Sequence, residues 1–393
     1  MIAGKKIIII GAGVCGPALA IQLKRKGGHA EIFESRSEEN IHEGAFLGIT
    51  PNGLNILRQF IDLHELKEDS TPGAIKFYNA KGKMIAEGPT GYQLEKYGAE
   101  TLQLKRSNLN RCIREAAAAE GVQIRYNRKL TRLEQDENTV TAFFDDGTVA
   151  SGDMLIGCDG IFSTVRQQIF PGENGLRYTK LISTGGYARH PRLAQPSDAI
   201  HMTFGERGFF AYAVSGQGEV WWFNNYRRNE EPAPHEIRTT LKEEIRQNLL
   251  TVHKNDDPLF SEIIRNSSDI IAYPVYDIPE LPYWYKNRVC LMGDAAHGIS
   301  PHVGQGASLA LEDSVVLTDL LGRKEHCSEA FAEFQAARSG RVEKIIRTAR
   351  KIGDTKAKIN PVAAWFRDRL IGFFIRKQLS KLDWLYGWKY PAR

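Results

Sequence analysis

The chain has 393 residues, 42% hydrophobic and 25% charged, a globular composition with length for roughly two or three domains' worth of core. Fifty-two Lys and Arg against 47 Asp and Glu leave a formal charge of +5. With no long basic run, that excludes nucleic acid as an expected partner and allows at most a mild attraction for anionic cofactors. Five widely spaced cysteines, an odd number with no C-x-x-C pair, argue against a disulfide framework or zinc site, so a reducing cytoplasm is the expected compartment. The amino terminus carries no secretory pattern, and no apolar stretch reaches the ~18 residues that span a bilayer.

Ile7-Ile8-Ile9-Ile10 is a β-branched run closed by Gly11, the pattern of a parallel strand buried on both faces. Pro17 to Lys26 reads as a helix stopped by Gly27-Gly28, and Ala30 to Glu34 as a second strand, completing one β-α-β unit. Between the first strand and the helix lies Gly11-Ala12-Gly13-Val14-Cys15-Gly16, a complete G-x-G-x-x-G. Gly11 permits the tight turn, Gly13 lets backbone approach a pyrophosphate, and Gly16 allows close helix–strand packing. The helix N–H groups then attract phosphate. Glu34 ends the second strand roughly 20 residues further on, where a carboxylate can accept hydrogen bonds from ribose hydroxyls. This motif alone does not separate FAD from NAD.

Asn108 to Glu120 is a predicted helix, Val122 to Tyr126 a strand, and Thr139–Phe144 with Thr148–Ala150 a hairpin around Asp146-Gly147. Met154–Gly157 is another buried strand, followed by Cys158-Asp159-Gly160-Ile161-Phe162-Ser163-Thr164-Val165-Arg166. From Leu181 to Arg228 aromatics become dense and strand-like alternation takes over, which predicts an antiparallel sheet. Helix returns at His235 to Val252. Val289–Met292 is a last buried strand, running into Gly293-Asp294-Ala295-Ala296-His297 and Pro301-His302-Val303-Gly304-Gln305-Gly306-Ala307. Helices are predicted over Gln305–Leu321 and Ser328–Ala349, before an aromatic, basic tail.

The three motifs, in this order and spacing, closely resemble the fingerprints of the single-component FAD-dependent aromatic hydroxylases, the p-hydroxybenzoate hydroxylase-like family. The resemblance runs from residue 5 to about 350. It implies an α/β fold: a Rossmann-type FAD-binding domain (1–72, 98–180 and 270–350), a mostly antiparallel β-sheet substrate domain (73–97 and 181–269), and a C-terminal helix and tail (351–393). It implies FAD as cofactor and NADPH or NADH as transient co-substrate. Flavin supplies the difficult chemistry: NAD(P)H reduces it, O2 adds at C4a, and the hydroperoxide hydroxylates an aromatic or polycyclic small molecule. No second G-x-G-x-x-G follows a strand, so no separate nucleotide domain for NAD(P)H is expected.

By this resemblance, Asp294 meets the ribityl chain. The backbone of Gly304, Gln305, Gly306 and Ala307 faces the flavin N1–C2=O edge, where a helix N-terminus is a sink for negative charge. Arg106 matches the arginine reaching the diphosphate, and Leu130 the backbone contact with adenine. Asp159, with Gly160 and Arg166, belongs to the middle motif; shaping the site through an Asp-Gly turn and an Arg–carboxylate pair is the equal alternative. Gly44 to Gly53 resembles the segment passing over the ring, which makes Phe46 a candidate substrate contact, and Pro301 lies beside the ring or simply packs.

In the strand Glu219–Asn225, Val220, Trp222 and Asn224 share one face and Trp221, Phe223 and Asn225 the other. Arg207, Tyr212, Trp222 and Asn225 are the substrate candidates, with core packing the stronger alternative for each aromatic. The urate hydroxylases' substrate arginine is not clearly reproduced. No catalytic residue is assigned. His297 and His302 do not have metal-ligand spacing or a carboxylate cluster, so a polar loop role is expected. The tail, with Trp365, Phe366, Phe373, Phe374, Trp384, Tyr386, Trp388 and Tyr390 among basic residues, is expected to pack on the body rather than on a membrane.

Competing readings are a flavin-dependent reductase or halogenase, a non-catalytic flavin-binding protein, and a NAD-dependent dehydrogenase without flavin. Trp221-Trp222-Phe223 stands where a halogenase would carry Trp-x-Trp-x-Ile-Pro, which counts against that reading.

Overall fold

The structure, a computed structural model, describes residues 2–39, 46–67, 70–72, 74–88, 91–172, 175–233, 242–355 and 382–390. Among these residues the strands form four sheets. The central one runs, from edge to edge, Tyr285–Lys286, Val289–Leu291, Met154–Gly157, Lys6–Ile10, His29–Phe33 and Gln123–Arg125. Its pairings are parallel except for the Tyr285–Lys286 edge. Burial on both faces explains the uninterrupted isoleucines: Ile7, Ile8 and Ile9 are fully buried. The helix Cys15–Arg25 makes the crossover from Lys6–Ile10 to His29–Phe33 and ends at Gly27, in a left-handed conformation at φ +83°.

A meander of Leu130–Gln135, Val140–Phe144 and Val149–Gly152 extends this layer. The predicted hairpin is present, joined by the turn at Asp145–Gly147. A small sheet of Phe46–Ile49, Leu102–Lys105 and Ser70–Pro72 lies on the chain's path to the fourth sheet.

The fourth sheet has seven strands in the order Ser267–Asp277, Arg177–Ala188, Val220–Arg227, Gly208–Val214, Ile200–Phe204, Ile75–Asn79 and Met84–Glu87. All its pairings are antiparallel except Ile200–Phe204 with Ile75–Asn79. The sheet takes in strands that begin before residue 181 and end after 269, so its edge lies outside the expected 181–269 segment. Helices Lys242–Val252 and Pro258–Arg265 cover its outer face, the second capped by Asp257, whose side chain accepts from Leu259 N. The predicted start of the first at His235 lies outside the described residues.

Two long helices, Gly306–Arg323 and Cys327–Thr355, close the molecule. The described part of the tail packs on them. Leu385 is buried, the Lys344 ammonium sits 4.0 Å from the Trp384 ring centre, and Tyr390 donates to Asp319 at 2.6 Å. Trp365, Phe366, Phe373 and Phe374 lie outside the described residues. Among the described residues, no helix is long and apolar enough to cross a membrane.

Candidate active site

The glycine loop has the geometry its sequence demands at two points. A Cβ on Gly11, which sits at φ +107°, would lie 2.5 Å from the Cys158 carbonyl oxygen; one on Gly16 would lie 2.0 Å from the Gly11 carbonyl oxygen. Gly13 is different: nothing approaches its Cβ position, and it borders a cavity of about 1680 Å³. Small-molecule sites commonly occupy roughly 300–1,000 Å³, so this one has room for a dinucleotide together with a second molecule.

Its floor is assembled from four chain segments. Gly13, Val14 and Cys15 bring the start of one helix; Gly304, Gly306 and Ala307 bring the start of another; Arg106 opens a third; Asp294 follows the strand Val289–Leu291. Neither Cys15–Arg25 nor Gly306–Arg323 has an acidic residue in its first turn, so neither positive helix end bordering the cavity is offset by a carboxylate of its own helix. Asp294 is exposed and borders this cavity. Desolvation by the surrounding protein pushes its carboxyl above the usual range, against the pull of His297 and Arg106.

Several expected residues act on the loop rather than at the cavity wall. Glu34 is 8% exposed; its carboxylate accepts from Ala12 N at 2.7 Å and from Arg36 N at 3.0 Å, tying the glycine loop to the end of the second strand. Asp159 accepts from Ser163 Oγ at 2.5 Å and Val165 N at 3.0 Å at the start of helix Thr164–Ile169. Arg166 is fully buried and donates to the carbonyls of Ala295 and Ile161 at 2.8 and 2.6 Å. Arg166 thus braces the Asp294 segment through backbone carbonyls rather than an Arg–carboxylate pair, while Gly160 of the same motif lines the cavity. Leu130 is a core residue beginning the meander and does not line the cavity.

The Gln305 side chain is fully buried, turned away from the cavity into a polar network. It accepts from Asn52 Nδ2 (3.1 Å) and donates to Thr50 Oγ1 (3.0 Å). Asn52 also donates to Glu312 (2.6 Å), which pairs with Arg338 and Arg341 at 2.8 and 2.7 Å. Asp313 accepts from Arg338, from His297 and from Gly293 N. His297 is therefore an Asp313 partner, and His302 borders the cavity. Residues far apart in sequence make this network, which sequence reading missed. The available signal was Glu312-Asp313 inside the apolar run Leu309–Leu317, two acids in a helix that must be buried.

The roof is the inner face of the seven-stranded sheet, and here strand parity corrects two candidates and a turn corrects a third. Phe223 and Asn225 line the cavity, as does Phe46, whose ring lies 5.7 Å from Trp221 and 5.9 Å from Phe223. Trp222 points to the opposite face, fully buried against Phe210 with its indole donating to Ser267 Oγ at 2.8 Å. Tyr212 pairs with Trp222 in register, shares that outer face and stacks on His201 at 4.8 Å. Arg207 is exposed in the turn between Ile200–Phe204 and Gly208–Val214. Alternation puts Trp222 and Tyr212 under the covering helices, and the turn puts Arg207 in solvent. Pro301 does border the cavity.

A parallel βαβ layer with a glycine-rich first turn, facing an antiparallel aromatic roof across one large cavity, defines a dinucleotide-binding α/β protein with a second binding region against the sheet. The family model described as "FAD binding domain" matches residues 5–349; the chain belongs to this family and is an FAD-dependent monooxygenase. It is 27% identical over 360 residues to 6-hydroxynicotinate 3-monooxygenase of Bordetella bronchiseptica, covering 86% of this chain and 90% of that one. It is 27% identical over 372 residues to the FAD-dependent urate hydroxylase of Klebsiella pneumoniae, covering 92% and 94%. The crystal structure of Klebsiella pneumoniae HpxO complexed with FAD and uric acid superposes with a TM-score of 0.82 at 24% identity, over 97% of this chain and 98% of that one.

Proposed function

We propose that this monooxygenase hydroxylates an aromatic ring held between the flavin and the inner face of the seven-stranded sheet, with NADPH or NADH and O2 as co-substrates. The observation that carries the reading is the single cavity reaching from Gly13 past Asp294 and Gly306 to Phe46 and Phe223. Bound FAD, once reduced by NAD(P)H, supplies the electrons that activate dioxygen.

The protein's part is to hold, orient and keep dry. The helix starts at Gly13–Cys15 and the Arg106 guanidinium meet the diphosphate, and Glu34 orders the loop beneath it. Asp294, at the cavity wall, would accept from ribityl hydroxyls. Gly306 and Ala307, at the start of their helix, would present backbone N–H groups to the ring edge that gains negative charge on reduction, while the Gly304 N–H is taken up by the Pro301 carbonyl and shapes the turn before them. Phe46 and Phe223, with Pro301 at the floor, enclose the aromatic substrate and exclude water. The two relatives named for hydroxylating hydroxynicotinate and urate support an aromatic or heteroaromatic substrate.

The test is oxygen and NAD(P)H consumption by the purified yellow protein across a panel of aromatic and polycyclic compounds. Compound-dependent acceleration of both is expected. A protein whose oxidation of NAD(P)H no ring compound accelerates would sink the aromatic assignment.

A further inference from the structure

We infer that Asn225, with Ser183 and Tyr273, forms an uncharged hydrogen-bonding strip that selects a substrate ring edge carrying a neutral N–H or O–H donor. The inference rests on the aromatic-substrate reading and specifies the chemistry of its edge.

In the seven-stranded sheet, Asn225 pairs with Ser183, and Ser183 with Tyr273. Directly paired residues point to the same face, and all three border the cavity. They form one polar row across three adjacent strands. The neighbouring row on that face, two residues along, is Phe223, Gly185 and Ile271, apolar and flat enough for a ring to lie against. The substrate therefore meets an apolar bed beside a polar edge.

Asn225 is 2% exposed, and its Oδ1 is buried without a hydrogen-bond partner. A buried amide oxygen left unpaired is destabilising, and Asn225, a residue of the cavity wall, gains a partner for it when a molecule seated against it supplies a donor. An amide also offers N–H, so Asn225 can meet an adjacent donor and acceptor together, as in a ring lactam. Neither of these two rows carries a charged residue, so they supply no counter-ion for a carboxylate. Carboxylate-bearing rings would enter this part of the roof unpaired.

The experiment measures binding to the FAD-loaded enzyme by calorimetry and by perturbation of the flavin absorbance. The probes are 2-pyridone and 2-quinolone, neutral lactams, against benzoate and 2-naphthoate, anions of matching ring size. Wild type is expected to bind the lactams at least about tenfold more tightly. Asn225→Leu is expected to weaken lactam binding by about tenfold or more and leave anion binding unweakened, because only the lactams lose a partner. Flavin stoichiometry checks the fold. Should Asn225→Leu fail to yield holoenzyme, Ser183→Ala carries the test, with a severalfold loss confined to the lactams. Equal binding of both probe sets, or variants that bind lactams like wild type, overturns the strip while leaving the aromatic reading intact. A wild-type enzyme that binds none of the four overturns both.

Discussion

Gly16 has no room for even one more carbon. Its Cβ would sit 2.0 Å from the Gly11 carbonyl oxygen, a backbone atom that no side-chain rotation can move. Gly16→Ala is therefore expected to displace the loop and give protein with little or no bound flavin, measured by absorbance after gel filtration. Gly13→Ala meets no protein atom and is expected to fold normally; any flavin loss there reports the ligand's approach to the backbone. The close approaches at Gly11 and Gly16 were legible from the spacing of the glycines and the strand before them. Glu34 was only partly legible. A carboxylate at the strand's end was expected to meet ribose, and its bonds to Ala12 N and Arg36 N are local loop contacts that no sequence spacing specifies.

At the scale of elements, the strand Val220–Arg227 divides its work by parity. Trp222→Ala should cost about 3–5 kcal/mol of stability by emptying the core beneath the covering helices, seen in denaturant unfolding. Phe223→Ala, on the cavity face, should raise KM for the aromatic substrate with a smaller stability loss. The reverse pattern would contradict the assignment of faces. Sequence alternation separated the two sets correctly, yet could not say which looked inward, because both faces of this sheet are covered and both are aromatic. Arg207 was misjudged for a related reason: nothing in the residue pattern distinguishes a cation at the cavity rim from one on the turn at a strand's end. A buried ionic network joins helices Gly306–Arg323 and Cys327–Thr355 to the cavity floor. Arg338, 1% exposed, bridges Glu312 and Asp313. Arg338→Met leaves two buried carboxylates short of a partner and should cost about 3–5 kcal/mol; an unchanged unfolding midpoint would show the network to be dispensable.

For the whole molecule, the same network sets an acid limit. Burial alone would raise the Asp313 carboxyl, but His297 and Arg338 outweigh it and hold it down at about 2. A carboxyl depressed in the folded state contributes stability that is full above its unfolded pKa, about 4, and is lost as pH falls towards 2. Stability is expected to decline below about pH 4, with flavin release accompanying unfolding, since Asp313 also holds Gly293 N beside Asp294. Flavin fluorescence followed against pH checks this; release near neutral pH with the fold intact would point to a different cause. The architecture was readable because three motifs fall at strand ends of one parallel sheet. The strip at Asn225 was not, because its neighbours Ser183 and Tyr273 lie on strands far away in sequence and become adjacent only through register.

The most direct test supplies isotopically labelled dioxygen during turnover with NAD(P)H and an aromatic compound that accelerates it, followed by mass spectrometry of the product. An FAD-dependent monooxygenase places one labelled oxygen atom in the hydroxylated product, and Asp294→Ala, which removes the carboxylate proposed to hold the ribityl chain, should lose that product together with its flavin. Product oxygen that comes from water, or NAD(P)H consumption that yields only peroxide with every compound that accelerates it, would contradict the account.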